Sequence, residues 1–298
     1  MSSNSSALAW MKALRLVYYP TTFLVLLVGI SVSVHAGILH RELIFWMVLG
    51  NVLLHCACSL INEYSDFVTG ADLVDYPELK WKTATGGSRV LVDQLINPNH
   101  VFYVSFLFFF SSLVVWMALA FTDCVLGVVL ALSLGVTFLY SVAFSKGGFY
   151  YLREGLLTFL AVPLFVLSVV KILSGEYLIT ACVASLYTGT HMMNYLLYHG
   201  LIDLEADLQS GKLRVTRVLG VEKTLLGSGG LIVGSFIILV VSLYLRVLPG
   251  GCVLPFGLVP LAVKILRAER KRVLVGNYTA VVLFFVLSVL LLSVGFWM

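Results

Sequence analysis

Apolar and polar positions in this chain alternate on the scale of whole helices. Hydrophobic runs fall at about 16–36, 42–64, 100–121, 124–144, 153–172, 177–199, 224–246, 249–266 and 275–297, with polar connections between them. Each run approaches the roughly 20 residues that a helix needs to cross a hydrocarbon core. The pattern therefore predicts nine transmembrane helices in an all-α, polytopic membrane protein. The first run is too long for a signal peptide and lacks a small-residue cleavage site, so it reads as a retained span. Only two connections, about 65–99 and 200–223, are long enough to hold a site.

Composition agrees, with 60% hydrophobic and 11% charged residues, which excludes an ordinary soluble domain. Threading nine spans from an inside N-terminus leaves sixteen lysines and arginines on one side and three, Arg41, Lys171 and Arg246, on the other. Basic residues concentrate on the cytoplasmic side of membrane proteins. The N-terminus and both long loops are thus expected in the cytoplasm, at the plasma membrane if the source is prokaryotic. The net charge of +4 is mostly this bias, and it suggests membrane lipid rather than nucleic acid as a partner. The basic run "RAERKR" (267–272) is read the same way. The five cysteines, Cys56, Cys58, Cys124, Cys182 and Cys252, lie in or beside apolar runs and read as small hydrophobes.

Polar residues inside two of the spans fall at helical spacing. His55, Ser59, Asn62 and Asp66 lie at i, i+4, i+7 and i+11, while Thr188, His191, Tyr195, Tyr198 and His199 form a second stripe. Polar side chains in a bilayer face protein or water. Both stripes are therefore expected to line a central cavity open at the cytoplasmic edge, the alternative being hydrogen bonds between helices. Each stripe runs into a group of carboxylates. Asp72 is out of helical phase with Asp66, but Gly70 between them can break the helix and turn the chain back. Asp203 and Asp207 share a helix face, and each loop continues into glycine and basic residues ("GGSRVL", 86–91; "GKLRVTRVL", 211–219). Four spans separate the loops, which places both on one side and suggests a weak parallel repeat of a four-helix unit.

Carboxylates converging at one membrane edge repel one another by several kcal/mol unless something compensates them. A hard divalent cation with oxygen ligands does so, and Mg²⁺ commonly combines one or two carboxylates with substrate phosphate oxygens. Two acidic clusters with lysine and arginine nearby suit a metal-bridged diphosphate. An apolar cavity behind them suits a prenyl tail.

The motifs "NEYSD…GAD" (62–72) and "DLEAD" (203–207) resemble the paired signatures of the UbiA superfamily of intramembrane prenyltransferases. "TGGSRVL" (85–91), "EADLQSGK" (205–212), "LYSVAFSKGGFYYLREGLL" (139–157) and "LRLVYYPTT" (14–22) are most similar to its 1,4-dihydroxy-2-naphthoate branch, which serves menaquinone synthesis. The chain departs from that pattern at Glu63, where the family usually has aspartate, and at His199, where asparagine is common. Prolines usual after Tyr140 are absent, and Arg153 stands where glycine is frequent.

The resemblance implies one domain over residues 1–298, with nine helices around a cavity capped by the cytoplasmic loops. It implies two Mg²⁺ ions, one held by Asn62, Asp66 and Asp72 and the other by Asp203 and Asp207, with the four aspartates as catalytic residues. Lys146, Arg89 and Lys212 are then expected on the diphosphate. Tyr140, Tyr195 and Tyr198 are expected to face an allylic cation, and Arg15 or His199 to anchor the aromatic acceptor. Substrates would be a polyprenyl diphosphate and an aromatic acceptor; 4-hydroxybenzoate, homogentisate and a glycerol phosphate lipid remain alternatives to the naphthoate. A cation-coupled transporter is the competing class. Transporters, however, commonly place their acids at the midplane between inverted repeats.

Overall fold

The structure is a computed structural model that describes residues 3–16, 19–37, 39–73, 88–142, 152–270 and 274–298. Among these residues every regular element is helical. Helices α1 (Ser3–Ala13) and α2 (Tyr19–His35) precede a long α3 (Arg41–Val68), and a single 3₁₀ turn, Ala71–Leu73, follows it. Next come α4 (Pro98–Leu119) and α5 (Cys124–Ser141). A short α6 (Arg153–Leu156), a π-helical turn (Leu157–Ala161) and α7 (Val162–Ser174) then follow without a break. The remainder comprises α8 (Ile179–Ile202), α9 (Leu204–Ser210), α10 (Val215–Tyr244), a 3₁₀ stretch (Gly250–Leu258), α11 (Val259–Arg270) and α12 (Leu274–Gly295).

Helix thus occupies each of the predicted apolar runs among the described residues. Among the described residues seven segments are long and apolar enough to cross a membrane by length and composition, which makes this a multi-pass membrane protein. Helix α2, at 17 residues, is shorter. Helix α8 has the length but is not among the seven, because Thr188, Thr190, His191 and Asn194 dilute its hydropathy. These polar residues are all buried, covered by α7, α10 and α12. The run at 249–266 also differs from expectation. Its first half is 3₁₀ rather than α, in a stretch where Gly250, Gly251, Pro255 and Gly257 disfavour α-helix.

The largest difference lies in the two polar connections: 200–223 is helical over most of its length, and 65–99 begins as a continuation of helix. Helix α3 has 28 residues. At about 1.5 Å per residue it is roughly 42 Å long, well beyond a hydrocarbon core of roughly 30 Å. Its last turns therefore carry Asn62 and Asp66 out of the apolar layer without leaving the helix. Thr69 closes α3, its hydroxyl donating to the Ser65 carbonyl at 2.8 Å. Gly70 then adopts φ +79°, and the chain turns back through Ala71–Leu73 to bury Asp72. A side chain at position 70 would resist that turn. Helix α8 likewise ends at Ile202, with α9 carrying Asp207 one turn further and α10 starting at Val215. Polar caps start the intervening helices: Asn97 accepts from the Asn99 amide at 2.9 Å and Asp123 from the Leu126 amide at 3.0 Å.

α3 packs along α4, and α8 along α10 and α12. At the crossing of α8 with the π-turn, a Cβ on Gly189 would overlap the Thr158 carbonyl oxygen. Small residues permit such close approach between membrane helices. Gly189→Ala is therefore expected to destabilise the protein by about 1–3 kcal/mol. The loss should appear as a lower melting temperature in detergent, and an unchanged melting curve would contradict the close crossing.

Candidate active site

The two acidic motifs meet at one end of the bundle, and basic side chains join them. On α3, Asn62 Oδ1 accepts from Arg15 Nη1 at 2.8 Å, and Asn62 Nδ2 donates to the Ser141 carbonyl at 3.4 Å. Glu63 is fully buried; it accepts from Arg15 Nη2 at 2.8 Å, from the Ser88 hydroxyl at 2.6 Å and from the Ser88 amide at 3.2 Å. Asp66 accepts from Lys212 Nζ at 2.5 Å, a buried contact between residues 146 apart in sequence. That bond ties the second motif's connection to the first motif.

Arg214 serves the second motif. Its Nη1 lies 3.1 Å from Asp203 Oδ2 and its Nε 3.1 Å from Asp207 Oδ2. The first contact is a close ion pair. In the second the Nε proton is not aimed at the carboxylate, so Asp207 Oδ2 has no hydrogen-bond partner. Lys212 and Arg214 lie in the non-helical connection 211–214 between α9 and α10, where Gly211 is left-handed (φ +78°) and Arg214 is extended. From there the pair reaches carboxylates of both motifs. Arg217 Nη1 holds the segment by donating to the Asp207 and Lys212 carbonyls at 3.2 and 3.1 Å. His199 completes the cluster: its Nε2 is 3.4 Å from Asp203 Oδ2 and its Nδ1 3.1 Å from the Tyr278 hydroxyl.

Electrostatics divide the acids. Burial, then the charges of Asp66 and Glu63, push the Asp72 carboxyl up to about 7. Burial likewise raises Asp207 to about 6, although Arg214 and Lys212 oppose the shift. Asp72 Oδ2 is buried and has no hydrogen-bond partner. Burial opposes the charge of Arg214, but Asp207 and Asp203 outweigh it and hold the guanidinium firmly protonated.

A cavity of about 160 Å³ lies between α2, α3, α5, α7 and α8, lined in part by Thr22, Asn51, His55, Tyr140, Ser141 and Met192. Tyr140 carries the Arg153 guanidinium 5.5 Å over its ring, and Arg153 Nε lies 3.4 Å from Glu154. A second cavity, about 590 Å³ and almost wholly apolar, lies between α3, α4 and α5 among Tyr64, Phe102, Phe106, Phe109 and Phe138.

Set against the sequence expectations, Asn62, Asp66, Asp72, Asp203, Asp207, Lys212 and His199 come together, and Tyr140 lines the first cavity. Arg15 is in the cluster too, but it holds Asn62 and Glu63 rather than the wall of that cavity. Arg89 is half-exposed and pairs with Asp93 at 3.8 Å, apart from the cluster. Lys146 lies outside the described residues. The α8 stripe needs correcting in part: His199 reaches the cluster, but His191, Tyr195 and Tyr198 pack against α11 and α12 and do not line the first cavity. Tyr198 donates to Glu269 at 2.9 Å and accepts from Asn277 at 2.8 Å, and Tyr195 stacks on Phe285. Tyrosine hydroxyls in an apolar bundle need partners, and these helices supply them. Sequence reasoning missed Arg214 and the Arg15–Glu63–Ser88 clamp. No spacing marks Arg214 in the sequence, because the connection that carries it is not a regular element.

An all-helical membrane protein with paired acidic clusters at one end of its bundle is the class that this arrangement defines. The UbiA prenyltransferase family profile matches residues 18–289, and the chain belongs to that family of enzymes. It is similar in fold to a UbiA homolog from Archaeoglobus fulgidus bound to GPP and Mg²⁺, at 16% identity and a TM-score of 0.61, covering 97% of this chain and 98% of that one. The apo UbiA homolog from Aeropyrum pernix K1 gives 12% identity and a TM-score of 0.67, covering 92% and 96%. The Archaeoglobus protein is also known bound to DMAPP and Mg²⁺, at 15% identity and a TM-score of 0.60, covering 96% and 99%. No curated protein matches the sequence.

Proposed function

We propose that this chain transfers a prenyl group from a polyprenyl diphosphate to 1,4-dihydroxy-2-naphthoate, with Mg²⁺ as cofactor, at the cytoplasmic face of its membrane. The observation that carries the reading is the Lys212–Asp66 bond, which joins two acidic motifs into one site beside an apolar interior. The Archaeoglobus relative, solved with GPP and Mg²⁺, supports the same substrate class.

The donor set fits magnesium. Asn62, Asp66, Asp72, Asp203 and Asp207 offer oxygen ligands only, and two of those oxygens, on Asp72 and Asp207, are buried without hydrogen bonds. Such a set suits an ion that takes one or two carboxylates and completes its shell with phosphate oxygens. Asn62, Asp66 and Asp72 would hold one ion, and Asp203 and Asp207 the other. Bound there, Mg²⁺ supplies positive charge to the leaving diphosphate.

The rest falls to the chain's own residues. Lys212 and Arg214 donate to diphosphate oxygens as the C1–O bond of the prenyl group breaks. The Tyr140 face and the surrounding apolar wall keep water from the allylic cation. A ring carbon of the acceptor then bonds to C1, and the naphthoate loses its carboxylate as carbon dioxide. The "TGGSRVL", "EADLQSGK" and "LYSVAFSKGGFYYLREGLL" blocks support the naphthoate as acceptor. The test uses purified protein with geranylgeranyl diphosphate, Mg²⁺ and a panel of aromatic acids, read by mass spectrometry. A prenylated, decarboxylated naphthalene diol is expected. Product from another acceptor alone would overturn the naphthoate assignment.

A further inference from the structure

Nearly every side chain assigned above to a metal already carries a cationic or hydrogen-bonding partner. Arg15 holds Asn62 Oδ1, Lys212 holds Asp66 Oδ1, and Arg214 lies against Asp203 and Asp207. The exception is Asp72, whose Oδ2 is buried and accepts no hydrogen bond; Asp207 Oδ2 accepts none either, but it faces Arg214 Nε at 3.1 Å. Lys212 is 4% exposed and the Arg214 side chain 13%, so water screens the Lys212 contact least and the Arg214 contacts only in part.

We infer that Lys212 and Arg214 are resident counter-ions that exclude bare divalent metal from the two aspartate motifs and admit it only together with a diphosphate, onto which both side chains transfer. The inference rests on the prenyl-diphosphate reading above. A metal ion bonds a carboxylate oxygen at roughly 2 Å, and the same Asp66 oxygen already carries an ammonium at 2.5 Å. Two cations held on one carboxylate in a poorly screened site repel each other, which weakens bare metal binding. A diphosphate removes the conflict, because its oxygens accept from the displaced ammonium and guanidinium while they complete the metal's shell.

The local structure allows that exchange without moving the backbone. Arg217 pins the carbonyls of Asp207 and Lys212, so the connection stays in place while two long side chains swing. Metal and diphosphate are then coupled ligands, each raising the other's affinity by one common factor. The same device keeps the carboxylates neutralised between turnovers, so neither motif faces the membrane edge as a bare acidic group.

The experiment compares wild type with Lys212→Gln, Arg214→Gln and the charge-preserving Arg214→Lys, all as full chain in detergent. Bare Mn²⁺ binding is read by electron paramagnetic resonance. Retention of radiolabelled inorganic pyrophosphate is read separately in the presence of Mg²⁺. The two Gln variants should bind bare Mn²⁺ about tenfold more tightly than wild type and retain pyrophosphate about tenfold less well. Arg214→Lys should stay close to wild type in both. These opposite signs distinguish the device from a structural role, which would weaken both ligands together and so overturn it. Equal bare Mn²⁺ affinity in wild type and the Gln variants would also overturn it, while leaving the metal site intact. Wild type that binds neither Mn²⁺ nor pyrophosphate would instead sink the functional reading on which the inference rests.

Discussion

Asp66→Asn is expected to lower prenyl transfer by about a thousandfold or more, the scale of losing a group that stabilises developing charge. Asparagine keeps the size of the side chain and an oxygen for the Lys212 ammonium, so the bond across the two motifs survives in weaker form. It removes the negative charge on which metal binding at this position depends. Asparagine is preferred to alanine because alanine would strand a buried lysine and mix a stability defect into the kinetics. The variant should elute and melt near wild type while its kcat collapses. Turnover near the wild-type rate in Asp66→Asn or in Asp203→Asn would remove the two-metal site from the account.

Glu63, the neighbour of Asn62 in the same motif, is expected to behave in the opposite way. It is fully buried, and Arg15 and Ser88 bond to it from two other parts of the chain. The clamp fixes the segment before α2 and the segment that leads to α4 against the end of α3. Glu63→Ala leaves the Arg15 guanidinium and the Ser88 hydroxyl without that acceptor, and breaking such a pair costs about 3 kcal/mol. The Arg15 side chain is 20% exposed, so water recovers part of its loss, and the figure belongs at the low end for a buried pair. A marked fall in melting temperature is expected, with metal affinity in the surviving folded protein changed far less than in Asp66→Asn. A variant that melted like wild type but lost metal would reassign Glu63 as a ligand.

These two acids show how far the sequence could be read. Helical spacing put Asn62 and Asp66 on one stripe, and Gly70 explained how Asp72 could rejoin them, because both arguments depend only on local backbone geometry. The aspartates of the second loop were legible for the same reason. What Glu63 does was not, since its partners Arg15 and Ser88 lie 48 and 25 residues away and no period connects them. Arg214 was hidden differently: the positive-inside bias explains any basic residue at that membrane edge, so one more arginine carried little information. The α8 stripe misled because a polar face on a membrane helix looks alike whether it meets a cavity or another helix. Only the partners Glu269, Asn277 and Tyr278, on α11 and α12, separate those cases.

The most direct test of the account is release of inorganic diphosphate from geranylgeranyl diphosphate by the purified protein, with 1,4-dihydroxy-2-naphthoate present, as a function of Mg²⁺. Release that requires Mg²⁺, stops on chelation and matches prenylated product mole for mole is the predicted result. Release that is indifferent to Mg²⁺, or no release at all from protein shown to be folded, would contradict the claim that the paired aspartate motifs are a metal–diphosphate site.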